Sequence, residues 1–291
     1  MSAEAIKTPD SDIGVALWAA NLAAAAAASA ALLVLPEYVC EHWLAYAPAL
    51  AATEELAWLA EQGRRALPRL RPLATKHDLV IVAGSWPVAT EHDGDDGSWR
   101  NRAHIILPDG RLETQDKLCL TPSEKDPDEW LLCPGHDLRV VVWRELRFVV
   151  LICLDVELPA LSAKLARADL DLDLLVVPSM TCKRSGHARV FGCAKARAIE
   201  LQAAVAVVGA VGSVAPDNAR PNYSGAAVYL PCEEPLGFTG ILAETPAAGS
   251  ADGDGPLLIA AHVPISRIRS LRAAGAEVWP GAWTADAVAI T

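Results

Sequence analysis

The chain has no long basic run, no pair of cysteines at CxxC spacing, no internal repeat and no stretch rich enough in Pro, Gly or Ser to serve as a linker. Each absence excludes something. Neutralised phosphates supply most of the affinity for duplex nucleic acid. With 25 Lys plus Arg against 36 Asp plus Glu, a formal charge of −11, this chain is a poor nucleic-acid partner. The seven cysteines are Cys40, Cys119, Cys133, Cys153, Cys182, Cys193 and Cys232. An odd count in 291 residues, without paired spacing, fits free thiols in a reducing, cytoplasmic compartment and not a disulfide framework. Six of them read as small buried hydrophobes, which leaves one as a candidate nucleophile. Without repeat or linker, residues 1–291 read as a single domain, with 275–291 as a C-terminal tail.

A basic n-region is also missing. Glu4, Asp10 and Asp12 stand against Lys7 ahead of the apolar run at 15–35, so that run does not read as a signal peptide. It exceeds the ~18 apolar residues that suggest a membrane span. It is mostly Ala, however, and ends in Leu32-Leu33-Val34-Leu35-Pro36. An Ala-rich helix followed by a buried strand fits better, with no membrane partner. The acidic, Gly-rich stretches at 91–98 and 249–256 read as surface loops. Asp93, Asp95 and Asp96 lack calcium-loop spacing, because Gly97 stands where a ligand belongs and no Glu closes the loop. No metal site is read there.

What is present is a globular composition, 52% hydrophobic and 21% charged, ample for a sizeable core. Short apolar runs recur at 32–35, 79–83, 104–107, 139–143, 148–152, 174–177, 204–208, 226–230 and 257–263. Bounded by Gly, Pro or Asp, they predict strands, many buried on both faces. Helical patterns occupy 14–30, 48–76, 159–168, 187–202 and 266–273. Pro108-Asp109-Gly110 predicts a hairpin turn between 104–107 and 111–115. Helical crossovers mixed with hairpins predict an α/β protein whose mixed sheets are covered by helices.

Several strands run into an ionisable residue. The first ends at Glu37, the strand after the Pro108–Gly110 turn reaches Lys117, and 148–152 ends at Cys153. Strand ends in α/β sheets deliver side chains into a crevice. A thiol that attacks, a carboxylate that takes its proton and an ammonium that stabilises an oxyanion form a nucleophilic site. Taken singly, each is an ordinary turn, surface or core residue. Cys153 has more behind it, because a helical stretch follows at 160–168 and a helix N-terminus favours thiolate. The backbone N–H of Leu154 would point into the same space as an oxyanion donor.

At these residues the sequence resembles the nitrilase superfamily of carbon–nitrogen hydrolases, over roughly residues 14 to 270. Leu33-Val34-Leu35-Pro36-Glu37-Tyr38 is similar to the family's strand ending in Pro-Glu. Asn101-Arg102-Ala103 through Pro108-Asp109-Gly110 looks like its central hairpin, and Gln115-Asp116-Lys117-Leu118 through Glu124 like its Lys motif with a trailing Glu. Pro134-Gly135 precedes the cysteine strand, Ile152-Cys153-Leu154-Asp155-Val156-Glu157-Leu158-Pro159 is similar to the nucleophile motif, and Arg197-Ala198-Ile199-Glu200 matches the following helix. The family's opening strand is short or absent here, since residues 1–13 offer only Ile6 and Ile13 as strand-forming apolar residues.

The resemblance implies a four-layer αββα sandwich, two mixed β-sheets covered by helices, that pairs into a homodimer or a higher even oligomer through helices. It implies Cys153 as nucleophile, Glu37 as general base, Lys117 as stabiliser of the tetrahedral intermediate and Glu124 as the second Glu that orients a small amide-type substrate. No metal or organic cofactor is implied. Asp155, two places after the cysteine, is the residue type that amide-cleaving members tend to carry, so amides are expected over nitriles. Nitrile hydrolysis on the same triad, a cysteine hydrolase with a His base, and a non-catalytic binding or scaffold relative are the competing readings. None of the seven histidines lies in a motif tied to a cysteine.

Overall fold

The computed structural model describes residues 21–90, 98–168, 170–212, 221–249, 257–274, 276–277 and 288–291. Two mixed sheets form its centre. The first has the order β1–β2–β3–β4, with β1 at Leu32–Val34, β2 at Val80–Ala89, β3 at Trp99–Ile106 and β4 at Leu112–Asp116. The second has the order β10–β9–β8–β7–β6–β5, with β5 at Val141–Trp143, β6 at Leu146–Val150, β7 at Leu174–Ser179, β8 at Ala204–Gly209, β9 at Ala226–Tyr229 and β10 at Ile241–Glu244.

Parallel neighbours cannot be joined by a tight turn, so each needs a crossover. The helices supply them. Helix α1, Ala52–His77, joins the parallel pair β1 and β2; α2, Pro159–Arg167, joins β6 and β7; α3, Arg184–Glu200, joins β7 and β8. A last helix, α4, spans Ile265–Ala274. The pair β3 and β4 is the expected antiparallel hairpin, closed at Pro108–Gly110.

Side-chain alternation separates the layers. Val80 and Val82 of β2, with Ala103 and Ile105 of β3, join one core with the second sheet, including Val149, Val176 and Val205. Ile81, Ala83 and Ile106 point the other way, into a second core under α1. That helix buries Leu56, Leu59, Gly63, Ala66, Leu70 and Ala74, the three-and-four spacing of one helical face. It comes so close to β2 that a Cβ on Gly63 would lie 2.4 Å from the Trp86 ring nitrogen. On the far side α3 buries Val190, Phe191, Ala194 and Ala198 against the second sheet. The result is helix, sheet, sheet, helix, the αββα order.

Three expectations are corrected or bounded. Residues 257–263 join neither sheet; Leu257 and Ile259 are half exposed, at 49% and 55%, because no strand pairs with the run. Strand β10, Ile241-Leu242-Ala243-Glu244, is too short to read from pattern, and forms by pairing with β9 across an irregular register. Of the helix expected at 14–30, residues 21–27 are helical and 14–20 lie outside the described residues. An opening strand within 1–13, both acidic loops apart from Ser98 and Gly249, and most of the 275–291 tail lie outside them as well. Among the described residues no helix is long and apolar enough to cross a membrane.

Candidate active site

Strand direction gathers the candidate residues. β1 is parallel to β2, β2 antiparallel to β3 and β3 antiparallel to β4, so β1 and β4 end at the same edge of their sheet. Glu37 lies just beyond β1 and Lys117 directly beyond β4. In the second sheet β6 and β7 are parallel, and beyond their ends stand Cys153 and Met180.

The Glu37 turn is held by a bulge in β2. Register shifts between Val82 and Ser85, and Gly84 has φ +72. A Cβ there would stand 2.3 Å from the Pro36 carbonyl oxygen, so only glycine admits this approach. Ser85 Oγ then accepts the Tyr38 N–H at 3.1 Å. Lys117 is fixed by its own backbone. Its N–H donates to the Asn101 carbonyl at 2.9 Å, and its carbonyl accepts from the Gly135 N–H at 2.7 Å.

Glu37, Lys117 and Glu124 meet in a buried cluster. The Lys117 ammonium, 2% exposed, donates to Glu37 Oε1 at 2.8 Å and to Glu124 Oε2 at 2.8 Å. Asn101 Nδ2 donates to Glu37 Oε1 at 2.9 Å and Glu124 Oε1 at 3.3 Å. Glu124 takes three further bonds, from Tyr38 OH at 2.8 Å, the Thr121 N–H at 2.8 Å and Thr121 Oγ1 at 2.9 Å. Glu37 Oε2 takes the Met180 N–H at 2.8 Å.

The two carboxyls are thereby driven apart. Burial pushes Glu37 above the usual carboxylate range; the Lys117 ammonium pulls it down, and the Glu124 charge pushes it up again. Burial also opposes ionisation of Glu124, but the Lys117 ammonium and the bonds from Lys117, Thr121 and Tyr38 outweigh it and hold that carboxyl low. Burial opposes the charge on Lys117 too, and the two carboxylates overcome it, so the ammonium stays protonated. Two interacting carboxyls pushed in opposite directions are a marker of divided acid–base labour.

Cys153 opens a 3-10 turn, Cys153–Glu157, at φ +50, a conformation that costs a non-glycine residue of order 1–3 kcal/mol. Its buried thiol donates to the Met180 carbonyl at 3.7 Å, so the backbone of one residue touches both Glu37 and Cys153. Here the sequence expectation needs correction. Burial, followed by the Glu37 carboxylate, pushes the thiol well above its usual value, and Lys117 only partly offsets them. A five-residue 3-10 turn separates the thiol from α2, so no full helix dipole acts on it. Burial in the finished fold thus favours the neutral thiol over the thiolate. Leu154 is half buried, and its N–H finds no acceptor among the described residues.

Several contributors were not singled out from sequence. Tyr38 and Asn101 stand inside the quoted motifs, so their positions were visible and their contacts were not; Asp155 was noted for the amide preference, but not for its bonds to the Lys117 and Cys153 segments. Met180 acts through its backbone and leaves no residue-type signal. Among the described residues no group of three or more His, Cys, Asp or Glu is arranged to hold a metal ion.

With this geometry in hand, comparison with known proteins is informative. A model of the carbon-nitrogen hydrolase family matches residues 3–240. The chain is 32% identical over 174 residues to the probable hydrolase YhcX of Bacillus subtilis (strain 168), covering 60% of this chain and 32% of that protein. It is 30% identical over 148 residues to an (R)-stereoselective amidase of Pseudomonas sp, covering 50% and 48%. It thus spans about a third and about half of the length of these two curated relatives. It is 30% identical over 226 residues to the omega-amidase YafV of Yersinia enterocolitica, covering 77% and 76%. In fold it is similar to a variant of the amidase from Nesterenkonia sp. AN1 that carries the acetamide moiety of fluoroacetamide on its active-site cysteine, with TM-score 0.59, 20% identity and 82% of each chain covered. A second variant of that amidase, in complex with butyramide, gives TM-score 0.58 at 21% identity, covering 82% and 83%. The family match over most of its length, with the αββα layers beneath it, makes this chain a member of the carbon-nitrogen hydrolase family.

Proposed function

We propose that the chain hydrolyses the C–N bond of a small, non-peptide amide through a thioester on Cys153. The observation that carries this is the buried cluster in which Lys117 joins a raised carboxyl, Glu37, to a depressed one, Glu124, beside the thiol. Glu37 takes the thiol proton as sulfur attacks the carbonyl carbon. The oxyanion that forms is held by the Lys117 ammonium and the Leu154 N–H. Glu37 returns its proton to the leaving nitrogen as the C–N bond breaks, and ammonia or an amine departs. Water then attacks the thioester, giving its proton to Glu37. Collapse of that second adduct expels the sulfur, which regains the proton, and frees the acid.

Glu124 stays ionised through these steps, keeps Lys117 charged and helps orient the substrate. The work is divided so that one carboxyl moves protons and the other does not. No metal or organic cofactor is needed by this sequence of steps. The complete set of Glu37, Lys117 and Cys153 argues against a binding or scaffold relative, and no histidine contacts the thiol among the described residues, which argues against a His base. The seven free thiols fit a reducing, cytoplasmic setting.

Release of ammonia from a panel of amides, carbamoyl compounds and nitriles tests the reading. Amides are expected to have the higher kcat/KM when compared with nitriles sharing the same acyl chain. A higher kcat/KM for the nitrile would overturn the amide preference and leave the Cys153 chemistry standing. Exposed Phe238, Ile241 and Ile199 leave apolar surface open, and we read the chain as a homodimer or higher even oligomer. Light scattering should return a multiple of 30.8 kDa at micromolar concentration; a monomer would refute it.

A further inference from the structure

The Asp155 carboxylate is buried, 1% exposed, and accepts bonds from both sides of the candidate site. Its Oδ1 takes the N–H groups of Leu118 at 3.1 Å and Cys119 at 2.7 Å, the two residues that follow Lys117. Its Oδ2 takes the N–H of Ile152 at 3.0 Å, the residue before Cys153, and shares the Leu118 N–H at 3.2 Å. The same turn is fixed from behind by Arg197 of α3, whose Nε donates to the Val156 carbonyl at 3.0 Å. One carboxylate therefore spans the chain leaving β4 and the chain leaving β6, which belong to different sheets.

We infer that Asp155 is a positioning residue that sets where the Lys117 ammonium stands relative to the Cys153 sulfur. It touches no reacting atom. The two sheets meet through apolar side chains, and such packing fixes their distance better than their slide. Lys117 is already tied to its own sheet through Asn101 and to Gly135. What remains is its register against the nucleophile turn, and the bonds to Asp155 supply it. The inference rests on reading Cys153 and Lys117 as nucleophile and oxyanion partner.

An asparagine at 155 has the same shape but only one acceptor oxygen. Whichever way its amide turns, one side of the clamp meets an NH2 group in place of an oxygen. A misplacement of about 1 Å in a catalytic array costs on the order of 10²-fold in rate. Asp155→Asn in the full chain should therefore lower kcat for the best amide of the panel by about 10²-fold and leave KM within about threefold. A second readout needs no turnover. Lys117 lowers the Cys153 thiol pKa, so a displaced ammonium leaves less thiolate. Alkylation of Cys153 by iodoacetamide, followed by peptide mass spectrometry, should slow by about tenfold in the variant. The exposed Cys182 and Cys232 should react at wild-type rates and serve as internal controls.

Asp155→Glu keeps both carboxyl oxygens and lengthens the arm by one methylene, and stands in if the asparagine variant does not fold. It should lose about tenfold or more in kcat with KM held. Either folded variant with kcat and Cys153 labelling within about twofold of wild type would overturn the inference, whatever its melting temperature. Should the wild type turn over no amide, the proposed function fails, and the labelling rates alone decide the role of Asp155.

Discussion

Replacing Cys153 with alanine abolishes hydrolysis and leaves the fold in place. The thiol reaches the Met180 carbonyl at 3.7 Å and the Glu37 carboxyl, both of them acceptors, so its loss strands no buried donor. Sulfur is replaced by a small gap in a well-packed region, and removing so few atoms costs about 1 kcal/mol. The backbone at φ +50 is as strained for alanine as for cysteine, so that cost does not change. Activity behaves differently. Glu37, Lys117 and the Leu154 N–H can still polarise a carbonyl and position a water, but no thioester forms. Such donors alone give only residual rates once a nucleophile is gone. Steady-state ammonia release should fall below about a hundredth of wild type, and a folded variant above that mark would end the assignment of Cys153.

The sequence carries Glu37, Lys117 and Cys153 for a physical reason. Glu37 and Cys153 stand where an apolar run stops, and Lys117 closes the polar strand that the Pro108–Gly110 turn opens. What brings them together was less visible, because it depends on strand direction. β1 and β4 end at one edge only because β3 runs against both neighbours, and the Pro108–Gly110 turn was the one local sign of that reversal. Asn101 illustrates what stayed hidden. It was read only as the start of the segment that looks like the central hairpin, yet it is fully buried and bonded to both Glu37 and Glu124. Met180 could not be found by residue type at all. The charge state of the thiol was misread because proximity to a helix start is a local signal, whereas burial is a property of the finished fold. The run at 257–263 was misread for the converse reason, an apolar pattern to which the fold offers no partner strand.

Replacing Lys117 with methionine, nearly the same length without the charge, should remove both activity and a large share of stability. The ammonium is 2% exposed and is the cation bonded to both Glu37 and Glu124. Stripping one partner from a buried ion pair typically costs about 3–5 kcal/mol, because the charge left behind has neither water nor a counter-ion. Proton uptake limits the damage. Glu37 already lies above its usual range and rises further without Lys117, so the folded variant holds its proton to higher pH. Between its unfolded value and that higher folded value, the folded state binds more protons than the unfolded chain. The variant therefore loses stability as pH rises through that window. In the wild type Glu124 works in the opposite sense: its folded value is held low, so its contribution is present above its ordinary value and lost as pH falls through the folded one. The gap between the two proteins should be narrow near pH 5 and wide near pH 8. Thermal unfolding followed by circular dichroism at both pH values measures it. The rate should fall by on the order of 10³-fold or more, since the oxyanion loses its charged partner and a raised Glu37 is less available to take the thiol proton. A stability gap independent of pH would mean that Glu37 and Glu124 do not share one ammonium, and a near-normal kcat would remove Lys117 from the mechanism.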